Sequence, residues 1–371
     1  MEASTKLWSC RVDSHWPDGL DICEVTLSIF GLIGNFTVTV LLFLLRSKNS
    51  EALTLLRVLS FSSLMSTFVE FVHDEVIPNK STGNVVFDGL VCVLWSSRFL
   101  YWYSKAHVYH SLFYFTCNRA IDMLNIRIHL ITTKKQRLTA FLLLIFISSF
   151  LSAAPQFLLA QPHVPKCACA LPTENFAILS MIYAHVFLWV AIFGVIYPII
   201  LVYICIALLL RLRRRENCAL VDELDQLVFV KARSSASCII SDALAVSSPT
   251  EAEASIINNP RAATTSRSKD VSARYVWSAS FCIIPLSAAY IVTFSYDATY
   301  QFLSAAGQIT YVLHSPAQKF SHILLSLFGS MVPLILFFHI PAMRSLIFVV
   351  IVSIGKRCRS VRSTDVGDQL T

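Results

Sequence analysis

Stretches of mostly apolar residues alternate along the chain with polar segments. A helix of about 20 apolar residues is long enough to cross the hydrocarbon core of a bilayer. The pattern therefore predicts a multi-pass membrane protein with seven spanning helices. Their approximate bounds are Ile22–Leu45, Leu53–His73, Val91–Cys117, Leu138–Leu159, Phe176–Leu210, Tyr275–Phe294 and Gln318–His339.

A shorter apolar run, Leu346–Ile354, follows the last of these stretches. It is too short to span a bilayer and is typical of a helix that lies in the membrane interface. We therefore predict an all-α membrane protein: a seven-transmembrane helix bundle with a short amphipathic eighth helix. The predicted parts are an extracellular N-terminus (1–21), the bundle (22–340) with a largely disordered cytoplasmic loop (211–274), and the interfacial helix with a cytoplasmic tail (341–371).

Charged residues are scarce, which favours the same assignment. The 371 residues are 55% hydrophobic and 14% charged, whereas soluble domains carry about 25% charged residues. The net charge of +7 does not imply nucleic acid, because Lys and Arg first report topology in a membrane protein. The basic residues are concentrated after the first, third and fifth spans and in the tail. This distribution predicts that the N-terminus is extracellular and the C-terminus cytoplasmic.

Several short motifs occur within the predicted spans. They are Gly31-Leu-Ile-Gly34-Asn35 in the first span, Arg119 at the end of the third, and Pro198, Pro285 and Pro333 in the fifth, sixth and seventh. Together with the seven spans, they resemble the rhodopsin-like (class A) G-protein-coupled receptors. The form is divergent and is similar to orphan receptors of invertebrates such as flatworms.

The resemblance implies that Arg119 binds a heterotrimeric G protein and that the three prolines act as helix hinges. The neighbouring residues depart from the family, because Asn118-Arg119-Ala120 stands in place of Asp-Arg-Tyr. Asn118 is not acidic and cannot pair with Arg119 as the aspartate of the family does. We therefore expect that the inactive state is only weakly stabilised and that basal activity is raised. Ser63 replaces the aspartate of the second span, so we expect no sodium site.

Three covalent modifications are also expected. Cys92 is similar to the cysteine at the top of the third span, and we expect it to be bridged to Cys169 or, less favoured, to Cys167. Asn79 begins an Asn-Lys-Ser glycosylation sequence in a predicted extracellular loop. Cys358 lies where palmitoylation could anchor the interfacial helix, and an unmodified thiol is an equal alternative.

Side chains inside or near the ends of the spans are candidates for a ligand site. They are Glu70, Arg98, Tyr101, Lys105, His185 and Lys319. One interpretation is structural: Glu70 pairs with Lys105, while Arg98 and Lys319 extend to water. The other is a cationic pocket for a carboxylate or a peptide C-terminus. Tyr101 stands where amine receptors of the family carry an aspartate, which argues against a biogenic amine.

The sequence therefore predicts a receptor and not an enzyme. It contains no His-Glu-x-x-His or Gly-x-Ser-x-Gly motif, and we expect no cofactor and no metal. The expected partners are a heterotrimeric G protein, membrane lipid and an extracellular ligand, with a peptide or small acid favoured over a biogenic amine. The alternative is a seven-span transporter or channel without G-protein coupling, although the inverted pairing of broken helices that many transporters show is not evident.

Overall fold

The fold is almost entirely helical in the part of the chain that the computed structural model describes. The described residues are 8–9, 19–46, 50–72, 84–124, 126, 133–158, 160–163, 166–169, 176–214, 224, 227–229, 279–312, 315–344 and 346. The α-helices are α1 (Gly19–Leu44), α2 (Ser50–Phe71), α3 (Val85–Val91), α4 (Phe99–Leu124), α5 (Lys134–Ala153), α6 (Phe176–Trp189), α7 (Tyr197–Arg214), α8 (Ile283–Ala305) and α9 (Pro316–His339).

Short strands complete these elements. They form three two-stranded pairs: β1 (Trp8–Ser9) with β6 (Tyr311–Val312), β2 (Leu45–Arg46) with β5 (Val228–Phe229), and β3 (Ala160–His163) with β4 (Lys166–Cys169). Only the β1–β6 pair is parallel. The chain divides into two compact units, the larger of which (1–39, 51–218 and 283–334) holds most of the helices. The smaller unit (40–50, 219–282 and 335–371) contains the β2–β5 pair.

The helices expose many large apolar side chains and bury charged side chains together with an apolar core. Large apolar residues such as Leu151, Ile199 and Val292 are more than 60% exposed, while Glu70 and Lys105 are buried. A soluble protein shows the reverse arrangement, so the outer surface is suited to lipid. Within the described residues, six helical segments are long and apolar enough to cross a membrane: Gly19–Leu44, Glu51–Phe71, Lys134–Phe157, Ser180–Arg211, Ala279–Ala305 and Pro316–His339.

The third predicted span, Val91–Cys117, needs correction. It is not one continuous helix, because α3 is followed by a π-helix (Cys92–Ser96) and then by α4. Between them Arg98 has φ +60°, a left-handed conformation that an ordinary side chain adopts only at a cost. The helix α4 has 26 residues, long enough to span. It is not among the six apolar segments, because it carries buried polar and charged residues.

Side-chain contacts within the larger unit fix the direction in which the helices run. Glu24 near the start of α1 lies 3.8 Å from His322 near the start of α9. Glu70 at the end of α2 lies 2.9 Å from Lys105 in the second turn of α4. Therefore α1, α4 and α9 begin at the end of the unit where α2 finishes. We call this the Arg98 end, and the opposite end of α4 defines the Arg119 end.

The Gly-x-x-Gly-Asn motif packs α1 closely against α9, as its small residues predict. A Cβ atom on Gly31 would lie 2.9 Å from Ser330 Oγ, and one on Gly34 would lie 3.0 Å from a side-chain carbon of Pro333. The amide nitrogen of Asn35 donates to the backbone carbonyl of Gly329, at 2.9 Å. Close approach and a buried interhelical hydrogen bond are the means by which helices associate in lipid.

The three prolines occupy different positions in their helices. Pro198 is the second residue of α7, directly after a π-helix (Val190–Ile196), and wide turns of this kind accompany bends. Pro285 is the third residue of α8, in the first turn, where a missing N–H costs little. Pro333 lies within the interior of α9. The sixth span also needs correction, because α8 ends at Ala305 rather than at Phe294.

Candidate functional site

A polar cluster lies at the Arg98 end of the larger unit, among α1, α2, α4, α8 and α9. Its charged and titratable members are Asp21, Glu24, Glu70, Arg98, Lys105, Asp297, Lys319 and His322. Four of the six predicted ligand-site residues belong to it: Glu70, Arg98, Lys105 and Lys319. The fifth, Tyr101, packs against it, and the sixth, His185, lies on α6.

Glu70 and Lys105 form an ion pair in the interior. The Lys105 ammonium donates to Glu70 Oε2 at 2.9 Å, and both side chains are almost completely buried. The other carboxylate oxygen accepts a hydrogen bond from the hydroxyl of Ser326 on α9. One carboxylate thus joins α2, α4 and α9. This is the structural pairing that the sequence offered as one of its two interpretations.

Arg98 and His322 form the second contact of the cluster. The Arg98 guanidinium Nη1 lies 3.2 Å from His322 Nδ1 and 3.3 Å from Nε2. The imidazole stacks on the Tyr101 ring with centroids 5.3 Å apart, and Glu24 Oε1 is 3.8 Å from Nδ1. Strained backbone tends to occur at functional sites. The left-handed conformation of Arg98 therefore makes its contact with His322 a candidate functional contact.

Lys319 forms the third contact, 2.6 Å from Asp21 Oδ1. These two side chains are 20% and 29% exposed, so this pair is much closer to the surface than the pair of Glu70 and Lys105. The sequence candidates included neither Asp21, which precedes the predicted first span, nor Glu24, which lies near the start of that span. With these acids included, Lys105, Lys319 and His322 each have a carboxylate oxygen within 4 Å.

An aromatic group borders the cluster on the side of α6. Trp102 contacts Trp189 edge to face, with ring centroids 5.4 Å apart. The ring centroid of His185 lies 6.1 Å from that of Trp189. The hydroxyl of Tyr101 is buried and has no hydrogen-bond partner among the described residues. These rings give the cluster an apolar wall, and His185 belongs to this wall rather than to the charged contacts.

The Arg119 end of α4 carries a second set of charges. Arg119 is 4% exposed and lies 3.7 Å from Asp122, one turn later on the same helix. Asp122 is held at 2.6 Å by Arg137 of α5. Asn118 is also buried, and its amide nitrogen has no hydrogen-bond partner among the described residues. The residues directly beside Arg119 give no sign of the acidic partner Asp122. Its i,i+3 spacing from Arg119 is the signal that could have revealed it.

Several predicted features lie outside the described residues. The glycosylation site at Asn79 and the acylation site at Cys358 are among them. For the predicted bridge, the backbone of Cys92, Cys167 and Cys169 is described but the side chains are not, so the bridge stays a prediction. In the described part of the chain, no three His, Cys, Asp or Glu side chains form a group that could hold a metal ion.

The fold and the buried polar cluster define a multi-pass α-helical membrane protein. No protein-family model and no curated protein matches the sequence. A more specific function therefore rests on the residues themselves.

Proposed function

We propose that the protein is a G-protein-coupled receptor of the plasma membrane with seven spans, of which α4 is the third. The observation that carries the proposal is the distribution of charge along α4. Lys105 is buried near one end of this helix and Arg119 near the other. Charged groups inside a spanning helix are costly and are kept for a function, and a receptor requires one such site on each side of the membrane.

The Arg98 end would face the extracellular solution and bind the ligand. Arg98, Lys105 and Lys319 supply cationic groups, and the aromatic wall supplies apolar contact. This combination favours a peptide or a small acid over a biogenic amine. A ligand carboxylate would compete with the protein's own acids for these cations, and the ligand would thereby alter the contacts that join α1, α2, α4 and α9.

The Arg119 end would face the cytoplasm and bind the G protein. Release of Arg119 from Asp122 would free its guanidinium to donate hydrogen bonds to the carbonyl groups of the partner. The bends available at Pro198 and Pro333 would let the ends of neighbouring helices move apart, with Pro285 as the third predicted hinge.

The test is a cell assay with calcium and cyclic-nucleotide readouts against a library of peptides and small acids. A ligand that stimulates the wild-type protein is expected to lose its effect on Arg119→Ala, while its binding persists. Arg98→Ala is expected to weaken binding itself. Surface expression of each variant is measured in parallel, so that loss of protein is not mistaken for loss of function.

Buried charges are also what a transport path contains, so a transporter or channel is the second candidate. Ion or solute flux in the same cells, without second-messenger change, would favour that class. If the Arg119→Ala variant signalled as strongly as the wild type at equal expression, the proposed role of Arg119 would be wrong.

A further inference from the structure

Asp297 is a buried acid that none of the predicted functions uses. It lies in α8 and is 1% exposed. Its Oδ1 accepts a hydrogen bond from the Ser321 hydroxyl of α9, and its Oδ2 accepts one from the side-chain amide of Gln301 one turn later in α8, each at 2.7 Å. Both partners are neutral. Within the described part of the chain, no Lys, Arg or His forms an ion pair with Asp297.

Glu70 provides an internal comparison, because it is equally buried on α2. Its carboxylate receives a hydrogen bond from the ammonium of Lys105. An ammonium group can only donate hydrogen bonds, and its positive charge favours a negative charge on the carboxyl group that accepts from it. Asp297 has no such cation, and an unpaired charge in an apolar interior is strongly disfavoured. The two acids are therefore in opposite electrostatic situations.

The partners of Asp297 can satisfy either charge state. A serine hydroxyl can donate to a carboxylate or accept from a carboxylic acid, and a glutamine side chain carries both an amide donor and a carbonyl acceptor. Rotation of the Ser321 hydroxyl and of the Gln301 amide would exchange one arrangement for the other without moving the helices. The same two partners can therefore satisfy either the protonated or the ionised carboxyl group while the site is closed.

We propose that Asp297 is a proton-binding site that joins α8 to α9. When the site is closed, Asp297 holds the proton as a carboxylic acid; when the contact with α9 opens, the acid transfers this proton to water and becomes a carboxylate. Full burial favours a proton as the occupant over a larger cation, which would need space beside the carboxyl group. The proposal does not depend on G-protein coupling.

The surrounding groups are consistent with a neutral site. From α4, the buried phenol of Tyr109 interacts electrostatically with Asp297. From α9, Lys319 is paired with Asp21, and His322, which follows Ser321, contacts Arg98. From α6, His185 lies beside Trp189. Ser321, which binds Asp297, directly precedes His322, which contacts Arg98. A single peptide unit therefore connects the site of proton release to the contact between His322 and Arg98.

Infrared difference spectroscopy of the full chain in nanodiscs tests the proposal directly. Spectra are compared between about pH 4 and about pH 9, a range in which buried carboxyl groups release their protons. The wild-type protein is expected to show the carbonyl band of a protonated carboxylic acid at acid pH and to lose it at alkaline pH. Asp297→Asn is expected to lack this band at every pH.

Two further variants control the measurement. Glu70→Gln, which alters the ion-paired acid, is expected to keep the band. Ser321→Ala, which removes one hydrogen bond, is expected to shift its frequency, and this variant also serves if Asp297→Asn does not fold. A band that persists in Asp297→Asn, or one that is unchanged in Ser321→Ala, would overturn the proposal. So would a wild-type spectrum without any carboxylic-acid band.

Discussion

Removing the charge of one partner from the buried ion pair of Glu70 and Lys105 should destabilise the protein more than the loss of any exposed ion pair. Glu70→Gln keeps the size of the side chain and removes its charge, which leaves the ammonium of Lys105 buried without its counter-ion. The two side chains are at most 3% exposed. Loss of one partner from a buried pair costs about 3–5 kcal/mol. We expect a loss of unfolding free energy in this range.

The pair of Asp21 and Lys319 is the matched control. Its side chains are 20–29% exposed, and pairs near the surface contribute at most about 1 kcal/mol. Asp21→Asn is therefore expected to cost less than about 1 kcal/mol. Denaturant titration of the purified variants in one detergent, followed by tryptophan fluorescence, gives the free energies of unfolding for comparison.

A double variant distinguishes the cost of losing the ion pair from the cost of leaving one buried charge without its partner. Glu70→Leu combined with Lys105→Met removes both charges and leaves apolar side chains of similar volume. We expect the double variant to recover most of the stability, since well-packed apolar replacements of buried pairs are close to neutral or stabilising. If Glu70→Gln cost no more than Asp21→Asn, or if the double variant lost as much as Glu70→Gln, the reasoning would be refuted.

Two other predictions concern the Arg119 end and the packing of α1. In the receptor proposed above, Asp122→Asn removes the acid beside Arg119, and the loss of a part-exposed pair contributing about 1 kcal/mol should raise the basal rate of G-protein nucleotide exchange roughly fivefold. An exchange rate equal to that of the wild type at equal expression would contradict this. Gly31→Ala places a methyl group 2.9 Å from Ser330 Oγ and should cost about 1–3 kcal/mol in thermal unfolding experiments. Gly89→Ala, which meets nothing within 4 Å, is the control and should change little.

The positions of the helices could be predicted from the sequence, because a continuous apolar run has few alternatives in a membrane. Pro316–His339 and Gly19–Leu44 lie within a few residues of the predicted spans. The ends were harder, since polar residues within α8 and α4 obscure the hydropathy. The left-handed Arg98 could not be predicted, because no glycine or turn motif marks that position and the surrounding packing imposes it.

Part of the polar cluster could also be predicted. Glu70 and Lys105 were recognisable as a pair because two opposite charges inside neighbouring spans have few other partners. Asp297 was missed because the predicted sixth span ended before it. Asp21 was missed because an acid at a helix start normally faces water. The contact between Arg98 and His322 joins residues distant in sequence, and nothing local in the sequence indicates such a pairing.

The spacing of the two buried charges along α4 limits how its two ends can influence each other. Lys105 and Arg119 are separated by about 21 Å along the axis at about 1.5 Å per residue, and they project within about 40° of each other. Tyr109, Leu112 and Thr116 lie between them on this side, and all three are buried. No Lys, Arg, Asp or Glu lies between them along α4, so ion pairs cannot be exchanged along this stretch. We expect a change at one end to reach the other as a rotation or translation of α4, limited by the packing of these three buried side chains.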